Sequence, residues 1–289
     1  MPNSRPLLRP TAAASAATAL CPPDGALVLW TRVASGVVLA PLFLALVYWE
    51  YPFFHFLVAA IAGVMAWEFT RMDGKAGLKR RCLITAASLA AVTAISLDHP
   101  VLALVIIAFA TITLVVADQM AGRKGFYLVQ IAVVYVALPA VSLLYVMAAG
   151  GQLSVYWILA VVWATDIGAY AFGWIIGGPK LAPAVSPNKT WSGAIGGLVC
   201  AVAASTGLML WAFGLPASFG LAAAAAGISV ASQLGDLFES GLKRRYQVKD
   251  SGSLIPGHGG VMDRFDGLWA GAPVVAAVCL LLEGGVQSW

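Results

Sequence analysis

The chain has 289 residues, of which 61% are hydrophobic and 10% are charged. A soluble domain is about 45–50% apolar and about 25% charged, so this composition excludes an ordinary soluble globule. The apolar runs are continuous, approaching the ~20 residues that a membrane-spanning helix needs, and they lack the alternation of a transmembrane barrel. The sequence therefore predicts an all-α, polytopic membrane protein.

The first 25 residues differ from the rest in being rich in Ala, Pro, Ser and Thr. Arg5 and Arg9 precede an Ala-rich stretch that is too weakly apolar for the core of a signal peptide. We therefore expect residues 1–25 to form a disordered cytoplasmic tail. After this tail we predict nine apolar membrane segments, which lie near 27–49, 52–69, 82–97, 101–117, 126–149, 154–177, 191–213, 216–239 and 268–284.

The 17 Lys and Arg residues predict how these segments are oriented. They lie before or at the start of the first segment and after the second, fourth, sixth and eighth, which is one face of a nine-segment topology. Because cytoplasmic loops carry the Lys and Arg excess, we expect a cytoplasmic N-terminus and an external C-terminus. Anionic inner-leaflet lipid attracts such a face, and this accounts for the net charge of +4 without a nucleic-acid partner.

Carboxylates within apolar segments are functional candidates, because insertion of an acid at a helix centre costs about 2.5–3.5 kcal/mol. Glu68 precedes the polar loop that starts at Arg71, and we interpret it as a membrane-interface residue. Asp166, Tyr170 and Gly173 share one helix face. We predict that these three residues form a polar notch facing the helix bundle.

A second polar face is predicted at the cytoplasmic end of the eighth segment. Gln233, Asp236, Ser240 and Lys243 repeat at spacings of three and four, with Glu239 beside them. Such spacing places them in one stripe on a helix. We interpret the stripe as the wall of a cavity. The alternative is a helix end whose side chains simply reach toward water.

The stripe continues into a stretch dense in charge and glycine, SGLKRRYQVKDSGSLIPGHGGVMDRFDG, from Ser240 to Gly267. Glycine-rich backbone and Lys or Arg side chains suit phosphate groups. Carboxylates would repel phosphate unless a divalent cation lay between them, and Asp236, Asp263 and Asp266 are oxygen ligands of the kind that Mg²⁺ takes. The stretch suggests metal-assisted phosphoryl or nucleotidyl transfer; the alternative is a basic, lipid-facing loop with turn glycines.

A further polar segment, GGPKLAPAVSPNKTWSG, follows the sixth apolar segment. It offers hydrogen-bond donors just before a helix, where backbone N–H groups are free. The S-P-N tripeptide within it is typical of a turn. We expect this segment to share the cytoplasmic face with residues 240–267, since both follow even-numbered segments.

The pattern S-x-L-K-R-x₄-K-D-x-G-x₂-I-P-x-H-G-G-V-x-D-R-F-D, from Ser240 to Asp266, resembles the signature of phosphatidate cytidylyltransferases, the CDP-diacylglycerol synthases. The segments Asp166-Ile-Gly-Ala-Tyr170 and Ser186-Pro-Asn-Lys-Thr190 resemble two upstream segments of that family. The resemblance covers residues 160–285 closely. The chain departs from the family pattern at Ile167, Trp174, Gly178-Pro179 and Ser192, which affects what the segment 166–192 contacts more than the reaction.

The resemblance implies a nucleotidyltransferase of phospholipid biosynthesis that converts CTP and phosphatidic acid to CDP-diacylglycerol and pyrophosphate. It implies Mg²⁺ dependence, a second cation such as K⁺, and a cavity open to both cytoplasm and lipid. It also implies a homodimer, although Gly193-x-x-x-Gly197 permits close helix contact either between subunits or within one. We expect a multi-pass protein of a bacterial cytoplasmic membrane, with its site facing the cytoplasm.

Residue roles follow from the same resemblance. It implies catalytic roles for Asp236, Asp263, Lys243, Arg264 and Lys189, and metal binding by Asp236, Asp263 and Asp266. It implies substrate contacts from Asp166, Ser186, Asn188, Thr190, Ser240, Arg244, Lys249, Asp250, His258, Gly259 and Gly260. A phosphate monoester is largely dianionic near pH 7, because its second pKa is about 6. His258 is therefore expected to shape the loop or contact substrate rather than act as a base.

We accordingly divide the chain into the tail, about five N-terminal transmembrane helices (26–150), and a C-terminal catalytic region (151–289) with a cytoplasmic motif loop at 240–267. Two other functions fit parts of the pattern. One is a CTP-dependent kinase of polyprenol or phytol type, whose alcohol substrate would require a base. The other is a secondary transporter that uses Asp166, Asp236 and Glu239 as an ion path. A non-catalytic membrane scaffold is the remaining alternative.

Overall fold

This computed structural model describes residues 37–74, 76–122, 128–212, 214, 216, 218–252, 254 and 259–289. The predicted tail, residues 1–25, and His258 lie outside the described residues. The helices are α1 (Val37–Tyr48), α2 (Phe53–Met72), α3 (Leu78–Ser96), α4 (Pro100–Met120), α5 (Ala132–Ile175), α6 (Trp191–Gly207), α7 (Phe219–Arg245) and α8 (Met262–Leu281). Short helical turns occupy Leu128–Ile131, Leu208–Ala212 and Val286–Ser288.

Six helices of the described chain are long and apolar enough to cross a membrane: α2, α4, α5, α6 with its continuation to Ala212, α7 and α8. The predicted class, an all-α polytopic membrane protein, is confirmed. The number of crossings and the side on which each terminus lies stay predictions. Large apolar side chains cover much of the outer surface, as lipid contact requires; Phe109, Trp174 and Phe219 are more than 70% exposed.

Helix α5 bends sharply near its middle. Its 44 residues would extend about 66 Å as a straight helix, which is twice the ~30 Å of a bilayer core. Gly151 interrupts it with φ 63° and ψ −166°, a backbone conformation that a side chain would strain. Next to it, Gly150 meets Gly285 so closely that a Cβ on either would collide with the other.

The two arms of α5 run in opposite directions along α8. In the first arm, the Trp269 indole donates to the Val136 carbonyl at 3.1 Å, before the chain reaches Gly150. In the second arm, Val162 packs near Gly267, and Ser154 accepts from the Val286 N–H at 3.2 Å. Helix α5 is therefore a hairpin, and its arms correspond to the predicted segments 126–149 and 154–177.

Two short strands, β1 (Lys180–Ala182) and β2 (Ser186–Thr190), form an antiparallel pair between α5 and α6. The register pairs Lys180 with Thr190 and Ala182 with Ser186. The interpretation of S-P-N as a turn is therefore wrong, because these residues begin a strand. A three-residue partner strand carries too little alternation to be recognised from the sequence.

The helices on either side of the motif extend further than predicted. Helix α7 continues to Arg245 and α8 begins at Met262, so the loop between them is 246–261 rather than 240–267. Hydropathy assigns charged residues to loops, but the helix dipole stabilises basic residues in a last turn and acidic residues in a first turn. Lys243 and Asp263 occupy those turns. We call residues 246–261 the α7–α8 loop.

Small residues bring the second arm of α5 against α6. A Cβ on Gly193 would meet the Ala169 carbonyl at 2.6 Å, and one on Gly197 would meet the Thr165 carbonyl at 2.8 Å. Gly168 lies equally close to Cys200. The Gly193-x-x-x-Gly197 pattern therefore serves packing within this chain.

Candidate active site

A cavity of about 540 Å³ lies between α5, the strand pair, α6 and α7. We call it the polar cavity because Asp166, Lys189 and Asp236 line it, although most of its lining surface is apolar. Asp166, Tyr170 and Gly173 line one wall, and Gln233 and Asp236 of the predicted stripe line another. Tyr170 is 77% exposed, so the predicted notch opens outward rather than into the helix bundle. The rest of the lining includes Trp174, Leu181, Asn188, Lys189 and Thr190. Two of the four predicted stripe residues therefore line this cavity, whereas Ser240 and Lys243 do not.

An apolar cavity of about 530 Å³ adjoins it, between α1, α2, α5 and α8. Its lining is mainly aliphatic and aromatic, including Leu42, Phe43, Leu57, Leu159, Trp163 and Leu268. Three charged residues also line it: Asp166, Arg264 and Asp266. Asp166 lines both cavities, so the two spaces meet at this residue.

Asp236 carries the acidic charge on the α7 side of the polar cavity. Its carboxylate lies 2.5 Å from the Lys189 ammonium of β2, and the Ser240 hydroxyl lies 3.4 Å from it. Asp266 of α8 is within electrostatic reach of both Asp236 and Asp166. Three acids from three helices therefore repel one another around the junction of the cavities, with Lys189 as one compensating charge.

Asp263 is fixed by donors on both carboxylate oxygens. Oδ1 accepts from the Lys243 ammonium at 2.7 Å, and Oδ2 accepts from the Gly260 N–H at 2.8 Å. Oδ2 also accepts from the Ser251 N–H and hydroxyl, both at 2.9 Å. Lys243 bridges further to Glu239, 3.0 Å away, which is fully buried. Lys243 thus joins two carboxylates, and none of these three residues lines either cavity.

Glu68, which we interpreted as a membrane-interface residue, is buried against the signature segment instead of being exposed at a helix end. It is 5% exposed, and its carboxylate accepts from the backbone N–H groups of Val261 at 3.1 Å and Met262 at 2.9 Å. The Ser251 hydroxyl lies 3.3 Å away. These partners are 183 to 194 residues away along the chain, so no local pattern could reveal them. A carboxylate at a helix N-terminus contributes ~0.3–1 kcal/mol, and Glu68 supplies one to α8.

The remaining predicted site residues lie mostly at the protein surface. Asn188, Arg244, Lys249, Asp250 and Arg264 are exposed, and Ser186 is half-buried. The Arg244 guanidinium lies 3.5 Å from the Val185 carbonyl. Thr190 caps α6, since its hydroxyl accepts from the Gly193 N–H at 3.1 Å. Gly259 needs its glycine because φ is +84° and Asp263 lies where a side chain would begin.

Ser192, where the chain departs from the family pattern, also has a clear place. Its hydroxyl donates to the Gly177 carbonyl, and it contacts the Thr190 hydroxyl at 3.0 Å. It therefore ties the start of α6 to the end of α5. Trp174, another departure, lines the polar cavity.

The donor set can be compared with what Mg²⁺ needs. Among the described side chains, no group of three or more His, Cys, Asp or Glu is placed to hold a metal ion. Mg²⁺ usually takes only one or two carboxylates and completes its shell with water and substrate phosphates. Asp236, with a side chain 40% exposed, and Asp266 fit such a pair. The ligand set with Asp263, and the second cation, stay predictions.

The fold and site define a polytopic helical membrane protein whose paired acids and bases surround two adjoining cavities. A sequence model described as the cytidylyltransferase family matches residues 30–282, which is most of the chain. The chain therefore belongs to the cytidylyltransferase family. The match includes the helices before the motif, which the resemblance of residues 160–285 did not cover.

Individual relatives carry a more specific name. A phosphatidate cytidylyltransferase of Brucella suis biovar 1 is 51% identical over 136 residues, which are 47% of this chain and 48% of the relative. One from Staphylococcus saprophyticus is 49% identical over 106 residues, 37% of this chain and 41% of the relative. The chain thus spans about half the length of the curated relatives it matches, or less.

Proposed function

We propose that this chain is a phosphatidate cytidylyltransferase, which transfers the cytidylyl group of CTP to phosphatidic acid and releases pyrophosphate. The observation that carries the proposal is the meeting of a polar and an apolar cavity at Asp166. A nucleotide and a lipid phosphate must meet at one point, and each needs surroundings of its own polarity. The relatives that match part of this chain are named phosphatidate cytidylyltransferases, and that name supports the same two substrates.

In this proposal the polar cavity binds CTP and the apolar cavity binds the acyl chains of phosphatidic acid. Asn188 and Lys189 of β2 face the nucleotide and its phosphates, together with Arg244 and Lys249 at the protein surface. Arg264 lines the apolar cavity beside Asp166, where it can neutralise the lipid phosphate. The amphiphilic substrate thus enters laterally, with its phosphate facing the nucleotide.

The reaction joins an oxygen of the lipid phosphate to the α-phosphorus of CTP and breaks the bond from that phosphorus to the oxygen bridging to the β-phosphate. Pyrophosphate leaves with the electron pair. The nucleophile is already anionic near pH 7, so this chain needs to align the phosphates and reduce their mutual repulsion. Lys189 and Arg264 supply positive charge, and Asp263 with Glu239 holds Lys243 in place.

Mg²⁺ would be held by Asp236 and Asp266 and, when bound, would neutralise phosphate charge. Asp236 pairs with Lys189 at 2.5 Å, so one ammonium is already within reach of any phosphate that approaches this carboxylate. We place Ser240, Asp250, Gly259 and Gly260 around the substrates as supporting contacts. K⁺ as a second cation and a homodimer remain parts of the proposal drawn from the family resemblance.

We also propose that the site faces the cytoplasm. Tyr246 of the α7–α8 loop is within electrostatic reach of Asp73 and Arg80 after α2, and Arg244 approaches Val185 of the strand pair. Three segments rich in Lys and Arg therefore lie on one face, and a cytoplasmic face carries that excess.

The test measures which products receive the α- and the γ-phosphorus of CTP. Purified protein is incubated with phosphatidic acid in detergent micelles, Mg²⁺, and CTP labelled at either the α- or the γ-phosphorus. We expect α-label in the organic phase and γ-label in pyrophosphate, both abolished by EDTA. In a parallel incubation with a polyprenol in place of phosphatidic acid, γ-label in the lipid with release of CDP would instead identify a lipid kinase. Folded protein that moves neither label would contradict the proposal.

A further inference from the structure

One buried carboxylate outside the two cavities contacts the signature segment directly. Glu68 belongs to α2, in the N-terminal part of the chain, yet its hydrogen-bond partners among the described residues are Ser251, Val261 and Met262. Neither cavity includes Glu68 in its lining. Because its described partners all belong to the signature segment, Glu68 is suited to holding that segment in place.

The contacts connect Glu68 to Asp263 through one hydroxyl. Ser251 Oγ lies 3.3 Å from Glu68 Oε2 and 2.9 Å from Asp263 Oδ2. A hydroxyl has a single proton, so it donates to one carboxylate at a time and the shorter contact favours Asp263. Glu68 is meanwhile held by the Val261 and Met262 N–H groups, which begin the helix that carries Asp263.

Two signature glycines are explained by this carboxylate. A Cβ on Gly260 would collide first with the Ser251 hydroxyl and would also lie 2.7 and 2.8 Å from the two Glu68 oxygens, and one on Gly252 would collide with the same carboxylate. Real Cβ atoms do not approach oxygen so closely, so the backbone reaches Glu68 only where side chains are missing. These glycines therefore allow the α7–α8 loop to close on α2, besides any approach to phosphate.

We propose that Glu68 is a positioning residue, which fixes the α7–α8 loop and the start of α8 so that Asp263 and Lys243 keep their geometry. It acts through the Val261 and Met262 N–H groups, which begin the helix that carries Asp263. Helix α2 thereby contributes to the reaction, because it holds the segment that carries Asp263 and through it orients Lys243. The inference rests on the proposed cytidylyl transfer.

Glu68→Gln is the first variant to measure. The amide keeps one acceptor oxygen but turns an N–H₂ group toward backbone donors, so the segment loses half of its anchor. We expect kcat to fall about 10- to 100-fold, because small misplacements of catalytic groups cost that much. KM values for CTP and phosphatidic acid should stay within about threefold, because Glu68 touches neither substrate. Glu68→Asp, which keeps the charge on a shorter side chain, should recover part of kcat.

Asp118→Asn is the matched control. Asp118 is also a buried carboxylate, 4% exposed, and it accepts from Arg80 at 2.9 and 2.7 Å and from Gln130 at 2.9 Å. It lines neither cavity. We expect both variants to melt at lower temperature in detergent, while Asp118→Asn keeps kcat within about twofold of the wild type. Equal losses of kcat in the two variants would reduce Glu68 to a general stabilising residue and overturn the inference.

Amide hydrogen exchange gives a readout that does not depend on activity. Exchange at Val261 and Met262 should accelerate at least about tenfold in Glu68→Gln and stay unchanged in Asp118→Asn, because only the first loses their acceptor. Unchanged exchange, or unchanged kcat, in Glu68→Gln would overturn the inference. Wild-type protein without label transfer would overturn the proposed function instead, and exchange would then decide the anchoring role alone.

Discussion

Asp263→Asn is expected to lower kcat by about 1,000-fold or more, the size of loss seen when a charge-stabilising group is removed from an active site. Asp263 accepts from Lys243, Ser251 and Gly260 at 2.7 to 2.9 Å. Asparagine keeps the shape but loses the charge, and its amide N–H₂ would face at least one of these donors. Lys243 would then be balanced by Glu239 alone. A 1,000-fold loss corresponds to ~4 kcal/mol of activation free energy.

The measurement is the steady-state rate of α-label transfer by purified Asp263→Asn in phosphatidic acid micelles. Asp118→Asn serves again as the control for loss of a buried carboxylate, and gel filtration in detergent checks that both variants are folded. A folded Asp263→Asn variant that kept more than about a tenth of the wild-type kcat would contradict a central role of Asp263 in the reaction.

Asp236→Asn is expected to lower kcat/KM for CTP by about 100-fold. Asp236 lines the polar cavity, pairs with Lys189 and lies within electrostatic reach of Asp266. Its loss removes one of the two carboxylates proposed for Mg²⁺ and leaves Lys189 without its acidic partner. The Mg²⁺ concentration for half-maximal activity should therefore rise, because a site with fewer charged ligands binds the cation more weakly.

A titration with Mg²⁺ at fixed substrate concentrations tests this expectation. Asp98→Asn is the control, because Asp98 is exposed between α3 and α4 and its φ of 62° is one that asparagine also adopts. An unchanged Mg²⁺ requirement in Asp236→Asn would remove Asp236 from the proposed ligands, whatever the loss in rate.

Periodicity predicted the parts of this molecule that depend on neighbours three or four residues apart. Asp166, Tyr170 and Gly173 share a wall of the polar cavity, and Gln233 and Asp236 share another, as their spacing indicated. The continuous apolar segments predicted the helices for a different local reason. A spanning helix satisfies its backbone hydrogen bonds internally and must be apolar along its length.

Other features depend on contacts that no local pattern encodes. The partners of Glu68 lie 183 to 194 residues away, so its sequence neighbours indicated only a helix end near water. The strand pair at Lys180–Ala182 is too short to show alternation. The start of α8 was missed because Asp263, Arg264 and Asp266 lower local hydropathy, although a first helical turn stabilises acids.

We propose that the polar cavity binds CTP and the apolar cavity binds phosphatidic acid, with their phosphates meeting near Asp166. The most direct measurement is the pair of KM values in two variants, Asn188→Ala in the polar cavity and Leu57→Trp in the apolar cavity. We expect Asn188→Ala to raise KM for CTP about fivefold, as loss of one hydrogen bond worth ~1 kcal/mol would. Leu57→Trp should raise only KM for phosphatidic acid. Variants that changed both KM values together, or the opposite one, would contradict the account.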